Sequence, residues 1–500
     1  MIHQVIQMFK SKIILSLCLA IIFFTQNSFA QNSKVQDSKV QNSKILSLEE
    51  YLNQVKGQSL SYAAANESAE AFEKLKAKAK LVTAVTFFAS AQNSFVEQNQ
   101  ALQIVRYNKV FNRNSQVGFS QTADFGLSTK LYYSLNHVTY KDLNTANYPN
   151  PSLSSSNYQS IPTIEVSLPI WQNLFGAQTR ASKDSIYFTN ESQKLAAKSV
   201  SISSLVAAEQ SYWSLAAARK IVTIQKNALK SAEQILDYVR KRERMNLGET
   251  GDVLQAKALL ESRKLSLKQA ENNEKLAARD FNKQRYIDSN EVADRLSDFD
   301  YSSLKTMIVP KVKAADRLDV KAYEANMKAA IANAKIDEES AKPAVSLFGS
   351  YSQNQIEPTA EDALANSLNK KGTAGMIGVR LSMPINFGIT SDIKQGALQS
   401  ASAAKLNYRQ KMFEQENDWQ NMVQNLSVYK ENLKLSQAIE AAQKSKLEYE
   451  RRLLKQGRTT TYQILLFEQD FSNSQITTIQ LAYQMLALIA EEKLYNVEAK

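Results

Sequence analysis

No glycine or proline occurs from Ala177 to Leu247, from Ala397 to Gln456, or from Arg458 to the last residue. These windows are rich in Ala, Leu, Lys, Glu, Gln and Ser, types that favour or tolerate a helix, so nothing in them interrupts one. A helix of about 65 to 70 residues is roughly 100 Å long at 1.5 Å per residue. No single globular core needs an element of that length, so such helices must run alongside one another. Ile221, Ile224, Ala228, Ala232, Ile235 and Val239 step by three and four, as do Leu426, Tyr429 and Leu433, which is the rhythm of a coiled-coil seam. Many seam positions are alanine and permit close approach. The lone glycines Gly248 and Gly457 are expected to end one helix and let the chain reverse into the next. Each half then carries a helical hairpin, around YVRKRERMNLGETGDVLQAKALLES and around YERRLLKQGRTTTYQILLFEQ.

Between the helical stretches the period changes to two. From Val117 to Leu135 the odd positions include Val117, Phe119, Phe125, Leu127, Leu131, Tyr133 and Leu135. Ile164, Val166, Leu168 and Ile170 alternate with Thr163, Glu165 and Ser167. In the second half Val345, Leu347 and Tyr351 alternate with serines, and Ile377, Val379, Leu381, Met383 and Ile385 with Gly378, Arg380 and Ser382. Each reads as a strand with one apolar and one polar face, and the two members of each pair are joined by polar loops at 141–160 and 354–375. Two readings of these four strands compete. A soluble sandwich buries the apolar face; a membrane barrel turns it to lipid and lines a lumen with the polar one. Helices far longer than a sandwich needs favour the barrel. Four strands do not close one, so several copies of the chain must each contribute a set. The polar-face residues Glu165, Ser167, Arg380 and Ser382 are then lumen candidates.

The strand exits SLPIWQNLFG and SMPINFG reveal a duplication. Each half reads helix, strand, loop, strand, Pro, long helix, glycine turn, helix, with a period of about 210 residues. Pro169 and Pro384 are expected to end the sheet ladder and turn the chain into the helices. The repeats are assigned to 46–305 and 306–500.

The first thirty residues read as a removable leader. Lys10 and Lys12 precede an apolar run from Ile13 to Phe24, and Ser28-Phe29-Ala30 is a peptidase-type small-residue site,. The run is too short to span a bilayer. Cleavage after Ala30 leaves a mature chain without Cys18, the one cysteine, which is itself poorly placed for lipidation,. Residues 31–45 repeat a short polar unit and read as a spacer. The formal charge of +12 is interspersed, not gathered on one face, which argues against nucleic acid. An enzyme fails on inventory. The mature chain keeps one histidine, His137, and has no cysteine, phosphate-binding glycine loop or metal-ligand spacing,. No metal or cofactor is expected. A periplasmic coiled-coil adaptor is the better rival, but would ordinarily carry one long hairpin where this chain has two.

In order and duplication these segments resemble the TolC-like outer membrane efflux protein family over almost all of the mature chain. LSLEEYL at 46–52 resembles the family's opening helix, and ADRLDVKAYEANMKAAIANAKIDEESAKPAVSLFGSY at 315–351 its second-half opening. The resemblance implies a mainly α fold with β: a homotrimer whose chains each give four strands to a twelve-stranded transmembrane β-barrel, continued by an α-barrel across the periplasm. It implies a passive outer-membrane conduit for tripartite efflux or type I secretion, meeting a periplasmic adaptor and an inner-membrane pump of the RND or ABC kind.

The same resemblance places the adaptor-docking tip at Asn246, Leu247, Gly248 and Glu249 and at Lys455, Gln456, Gly457 and Arg458. Asp252 matches an acidic latch residue, with two residues fewer before it; the latch partners fall at Leu454 and Thr459, and Arg458 is the available substitute. Acidic constriction rings would fall at Gln463 and Leu466, neither of them acidic. Arg240, Lys241, Arg242 and Arg244 crowd one tip and Arg451, Arg452, Lys455 and Arg458 the other. Cations near helix C-termini offset the helix dipole; a basic pore entrance would also disfavour cations. Asp316 and Asp319 are expected as helix caps, Trp171 and Phe175 as interfacial anchors or packing residues, and His137 as a strand or loop residue.

Overall fold

The computed structural model describes residues 45–97, 107–143, 155–369 and 372–496. The leader, its cleavage point and the spacer up to residue 44 lie outside the described residues. Of the described residues, Ile45 and 293–295 group apart from the rest, and the larger unit, from Leu46 on, holds the large sheet and the long helices.

The opening helix starts as its sequence requires. Ser47 and Glu50 form a capping box at the head of Leu48–Gln58 (α1), with Glu50 N–H donating to Ser47 Oγ at 3.2 Å and Ser47 N–H to Glu50 Oε2 at 3.3 Å,. Ser59 caps Leu60–Leu75 (α2). The chain then enters a strand earlier than alternation suggested.

Among the described residues six long strands form one antiparallel sheet in chain order: Thr86–Glu97 (β1), Lys109–Thr122 (β2), Ser128–Lys141 (β3), Ser156–Pro169 (β4), Ala344–Gln353 (β5) and Thr373–Ser382 (β6). Gln355–Glu357 continues β5. Ser352 lies opposite Thr163 and Gln355 opposite Ser160, so the register is unbroken across Asn354. The expectation of four strands is therefore short by one hairpin, and the segment 117–135 is not one strand. It contains a turn closed by Ala123 N–H on Leu127 O and Gly126 N–H on Ala123 O, both 2.8 Å, with Gly126 at φ 90°. Phe119 faces Leu131 and Val117 faces Tyr133. Odd numbers lie opposite odd numbers, so alternation passes through the turn with no break in phase. The expected loops are also shorter. Strand β3 reaches Lys141 and β4 starts at Ser156, while 354–375 contains the end of β5 and a short helix, Ala360–Ala365.

Pairing runs past Pro169, which was expected to end it. Ile170 N–H donates to Val345 O at 2.8 Å and Gln172 N–H to Pro343 O at 3.3 Å. An edge position without a donor suits proline, but the following residues still reach the ladder. Pro384 lies two residues beyond the end of β6.

Four long helices follow the sheet: Ala177–Arg244 (α3) and Thr250–Gln284 (α4), then, after Leu318–Ser340 (α5), Phe387–Lys455 (α6) and Thr461–Glu492 (α7). At 68 and 69 residues, α3 and α6 each extend about 100 Å. Among the described residues no helix is long and apolar enough to cross a membrane.

Besides a small cluster of Leu195 with Leu318, Ala322 and Ala325, two cores among the described residues hold the helices together. In the larger, Tyr51 stacks on Phe281 at 4.1 Å, and its hydroxyl bridges Phe281 O and Ser211 Oγ, each at 3.0 Å. Tyr212 donates to Leu46 O at 2.7 Å and accepts from Ser297 N–H at 2.8 Å. Leu426 and Leu433 of the seam are fully buried there. The smaller core lies near the hairpin turns and joins Ile235 and Val239 of α3, Ala256 of α4, Leu454 of α6 and Ile464 of α7.

Candidate functional site

Register sorts the strands into two faces. On one, Phe87, Phe119, Leu131, Ile164 and Tyr351 form a cross-sheet row over five strands, all of them exposed. Val117, Val166, Leu347, Ile377, Val379 and Leu381 extend this apolar face and are likewise exposed. At the outer end it gives way to charge, where Lys109 pairs with Glu97 at 2.7 Å and sits over the Phe95 ring. Trp171 and Phe175, just beyond the inner end, are 55% and 74% exposed, so packing within the chain does not account for them. His137 is a strand residue, stacked on Tyr158 at 4.2 Å.

The opposite face is polar. Asn114 donates to Asn136, which donates to Gln159 at 3.3 Å, and Gln116 donates to Ser134 at 3.2 Å. Toward the helices a cavity of about 260 Å³ is lined by Ser128, Lys130, Glu165, Ser167, Phe348 and Arg380. Tyr132 donates to Glu165 at 2.7 Å, and the Arg380 guanidinium lies 4.9 Å from the Phe348 ring centre. Glu165, Ser167 and Arg380 thus share one concavity; Ser382, two residues on from Arg380, shares its face and lies opposite Ala344.

The two hairpin turns are built alike. At the end of α3, Leu247 N–H donates to Arg242 O at 2.9 Å and Asn246 N–H to Glu243 O at 2.9 Å; at the end of α6, Arg458 N–H donates to Leu453 O at 2.9 Å and Gly457 N–H to Leu454 O at 3.0 Å. These are paired Schellman caps. Their left-handed residues are Asn246 (φ 56°) and Gly457 (φ 70°). Gly248 was expected to make the reversal and does not; Asn246 is the counterpart of Gly457. Each turn then takes three residues to the next helix cap, Glu249 in one and Thr460 in the other. Leu247, Glu249, Lys455, Gln456, Gly457 and Arg458 are exposed and Gly248 partly so.

Around the turns the charges divide. Lys241 pairs with Asp237 at 2.6 Å, and Arg242 donates to Leu247 O at 2.8 Å, tying off its own helix end. Arg451, its side chain about half exposed, is tied to a buried carboxylate. Its Nε donates to Glu468 at 3.0 Å and its Nη2 to Ser231 at 2.8 Å, while Ser231 donates to Glu468 at 2.7 Å. Buried Arg263 lies close enough for the Glu468 charge to offset part of the burial that lowers its pKa. This cluster draws one side chain from each of α3, α4, α6 and α7, and nothing in the motif-by-motif reading of the sequence singled it out. Among the described residues neither Asp252 nor Arg458 has an ion-pair partner. Gln463 accepts from Thr459 Oγ1 at 3.0 Å, and its N–H is capped by Thr460.

The segment Asp316–Asp319 is a hub, and its two aspartates are not the caps expected. Arg317 itself stands at the cap of α5, with its N–H on Gln415 at 2.7 Å and its guanidinium on Asp319 and on Asp418 at 3.0 Å. Asp316 takes Gln415 Nε2 at 2.8 Å and Lys313 at 3.0 Å. Burial raises the Asp319 carboxyl pKa, but the Arg317 hydrogen bonds and charge outweigh it and hold the group below the usual carboxylate range,.

Apolar side chains also lie unpartnered along the helices. Val428, Leu435 and Tyr449 on α6 are exposed at multiples of seven residues, and Leu254, Leu265 and Leu276 on α4 at steps of eleven. Both spacings belong to helices that pack lengthwise against further helices.

No protein-family model and no curated protein matches the sequence. Solved structures do. The outer membrane protein VceC of Vibrio cholerae superposes with a TM-score of 0.59 at 14% identity, over 89% of this chain and 94% of that one. The MtrE outer membrane channel of Neisseria gonorrhoeae, in its open state, gives 0.59 at 15%, over 92% and 93%. The CmeC outer membrane channel of Campylobacter jejuni gives 0.57 at 15%, over 90% and 85%. The chain has the TolC-like fold of these outer membrane channels, nearly end to end.

Proposed function

We propose that three copies of this chain form a passive outer-membrane conduit for tripartite efflux or type I secretion, reaching into the periplasm to meet an adaptor and an inner-membrane pump of the RND or ABC kind. The observation that carries the reading is the sheet with two unlike open faces. Its strands of 10 to 14 residues suffice to cross a bilayer when tilted. An exposed apolar face of that extent is unfavourable in water and favourable against lipid, and the hydrogen-bonded Asn, Gln and Ser face suits a water-filled lumen. Glu165, Ser167, Arg380 and Ser382 are assigned to that lumen. The paired turns at 246–249 and 455–458 are assigned to the adaptor-facing tip, with Asp252, Arg458 and Gln463 beside the gate. The unpartnered stripes on α4 and α6 are the surfaces on which neighbouring copies pack. No catalysis, metal or cofactor enters this reading.

The test is extraction from outer membranes in detergent, followed by native mass determination and single-channel recording. A conducting trimer supports the conduit; a soluble periplasmic monomer or hexamer sinks it in favour of an adaptor. Because Gln463 and Leu466 supply no acidic ring and the tips are basic, the channel is expected to show weak or absent cation preference in a salt gradient. A strongly cation-selective reversal potential contradicts that assignment.

A further inference from the structure

The sheet has six strands where a twelve-stranded trimer calls for four, and the additional hairpin is anchored. Its inner turn, 123–127, sits against the elbow between β4 and α3. A Cβ placed on Gly176 would lie 1.9 Å from Asp124 O, so only glycine allows that backbone to approach,. Lys183 pairs with Asp124 at 2.6 Å and Arg180 reaches Asp124 O. Asn173, itself at φ 59°, is held by Thr179 through both ends of its amide, at 2.9 and 3.0 Å, and crowds Gly126. The register between β2 and β3 is continuous through fourteen residue pairs,. The hairpin is part of the wall.

We propose that β1 of one copy pairs with β6 of the next, so that three copies close an eighteen-stranded barrel. The inference rests on the outer-membrane trimer reading and goes beyond it in the seam and the strand count. Direction supports it. Strands alternate along the sheet, and an even number leaves β1 and β6 antiparallel when copies are joined head to tail; an odd number would not. Both edges lack the usual protection. Neither contains proline, β1 carries one charge, Glu97 at its end, and β6 one, Arg380. A long edge with an apolar face pairs with another strand unless something covers it, and in lipid an unpaired edge is not tolerated. The faces also continue across the seam. Phe87, Ala89 and Ala91 share the apolar face with Ile377, Val379 and Leu381, and Ser90 and Gln92 share the polar face with Gly378 and Arg380.

Barrel diameter grows roughly linearly with strand number, so eighteen strands give a wall about one and a half times as wide as twelve.

Photo-crosslinking in intact outer membranes tests the seam. With Ala91→p-benzoylphenylalanine in β1, irradiation is expected to yield a covalent dimer whose joined peptides contain residues 86–97 of one copy and 373–382 of another. The same substitution at Ser115, inside the sheet, is expected to lose that dimer. Electron cryo-microscopy of the trimer then counts strands. A trimer with twelve strands, or an Ala91 adduct formed only within its own chain, overturns the eighteen-stranded wall and leaves the conduit standing. Absence of any membrane trimer overturns the conduit and this seam together.

Discussion

At the residue scale, three glycines with the same one-letter code carry different constraints. Gly176 combines φ 75° with a backbone oxygen where its Cβ would be, so Gly176→Ala is expected to cost more than about 2 kcal/mol and to reduce trimer yield. Gly457 has φ 70° but open space, so its alanine variant should lose only about 1 kcal/mol. Gly248 has neither positive φ nor a severe contact, and Gly248→Ala should be close to neutral. Thermal melts of the three purified variants check the order; a Gly248 variant as damaged as the Gly176 variant would refute it. Tyr51 carries a pH dependence. Burial pushes its phenol up to about 12 from 10.0, so the folded state favours the neutral form. That contribution is fully present below pH 10 and is lost as pH rises through about 12. Melting temperature against pH should fall more steeply through this window in the parent than in Tyr51→Phe, which keeps the decline due to Tyr301, likewise raised to about 12.

At the scale of elements, the informative junction is where the four long helices meet. Glu468 is buried and serves Arg451 and Ser231 directly, with the Arg263 charge nearby. Glu468→Gln leaves cations without their carboxylate and is expected to destabilise the hairpin pair by about 3 kcal/mol. Arg452→Ala, removing an exposed cation over Tyr449, should cost less than about 1 kcal/mol. Denaturant midpoints separate the two, and equal effects would contradict the cluster. The helices themselves were legible from glycine and proline spacing, because backbone conformation is a local property. The β2–β3 turn was not. Its register keeps odd positions facing one way on both sides, so periodicity carries no mark of the reversal, and only Gly126 hinted at it. The Asn246 turn was hidden for a related reason. Asparagine also tolerates the left-handed conformation, and nearby Gly248 drew the assignment to itself. The Arg451–Glu468 cluster joins residues up to 237 positions apart, which no spacing rule reports.

At the scale of the whole molecule, two unlike open faces on one sheet, with apolar stripes left exposed along α4 and α6, are what the proposed assembly of copies would cover. The ion-selectivity and crosslinking experiments both act at this level, since each reads a property that exists only once copies have joined. The sequence by itself determined the long helices, their hairpins and the alternation of the strands. All of these follow from local propensity and periodicity, which a linear string records directly. Only the tertiary structure decided how many strands the sheet contains, which residue reverses each hairpin, and which charges pair between helices. Those outcomes depend on register and on contacts between distant segments, where a carbonyl 1.9 Å from an imagined methyl or one shared carboxylate selects among arrangements that the alternating pattern permits equally.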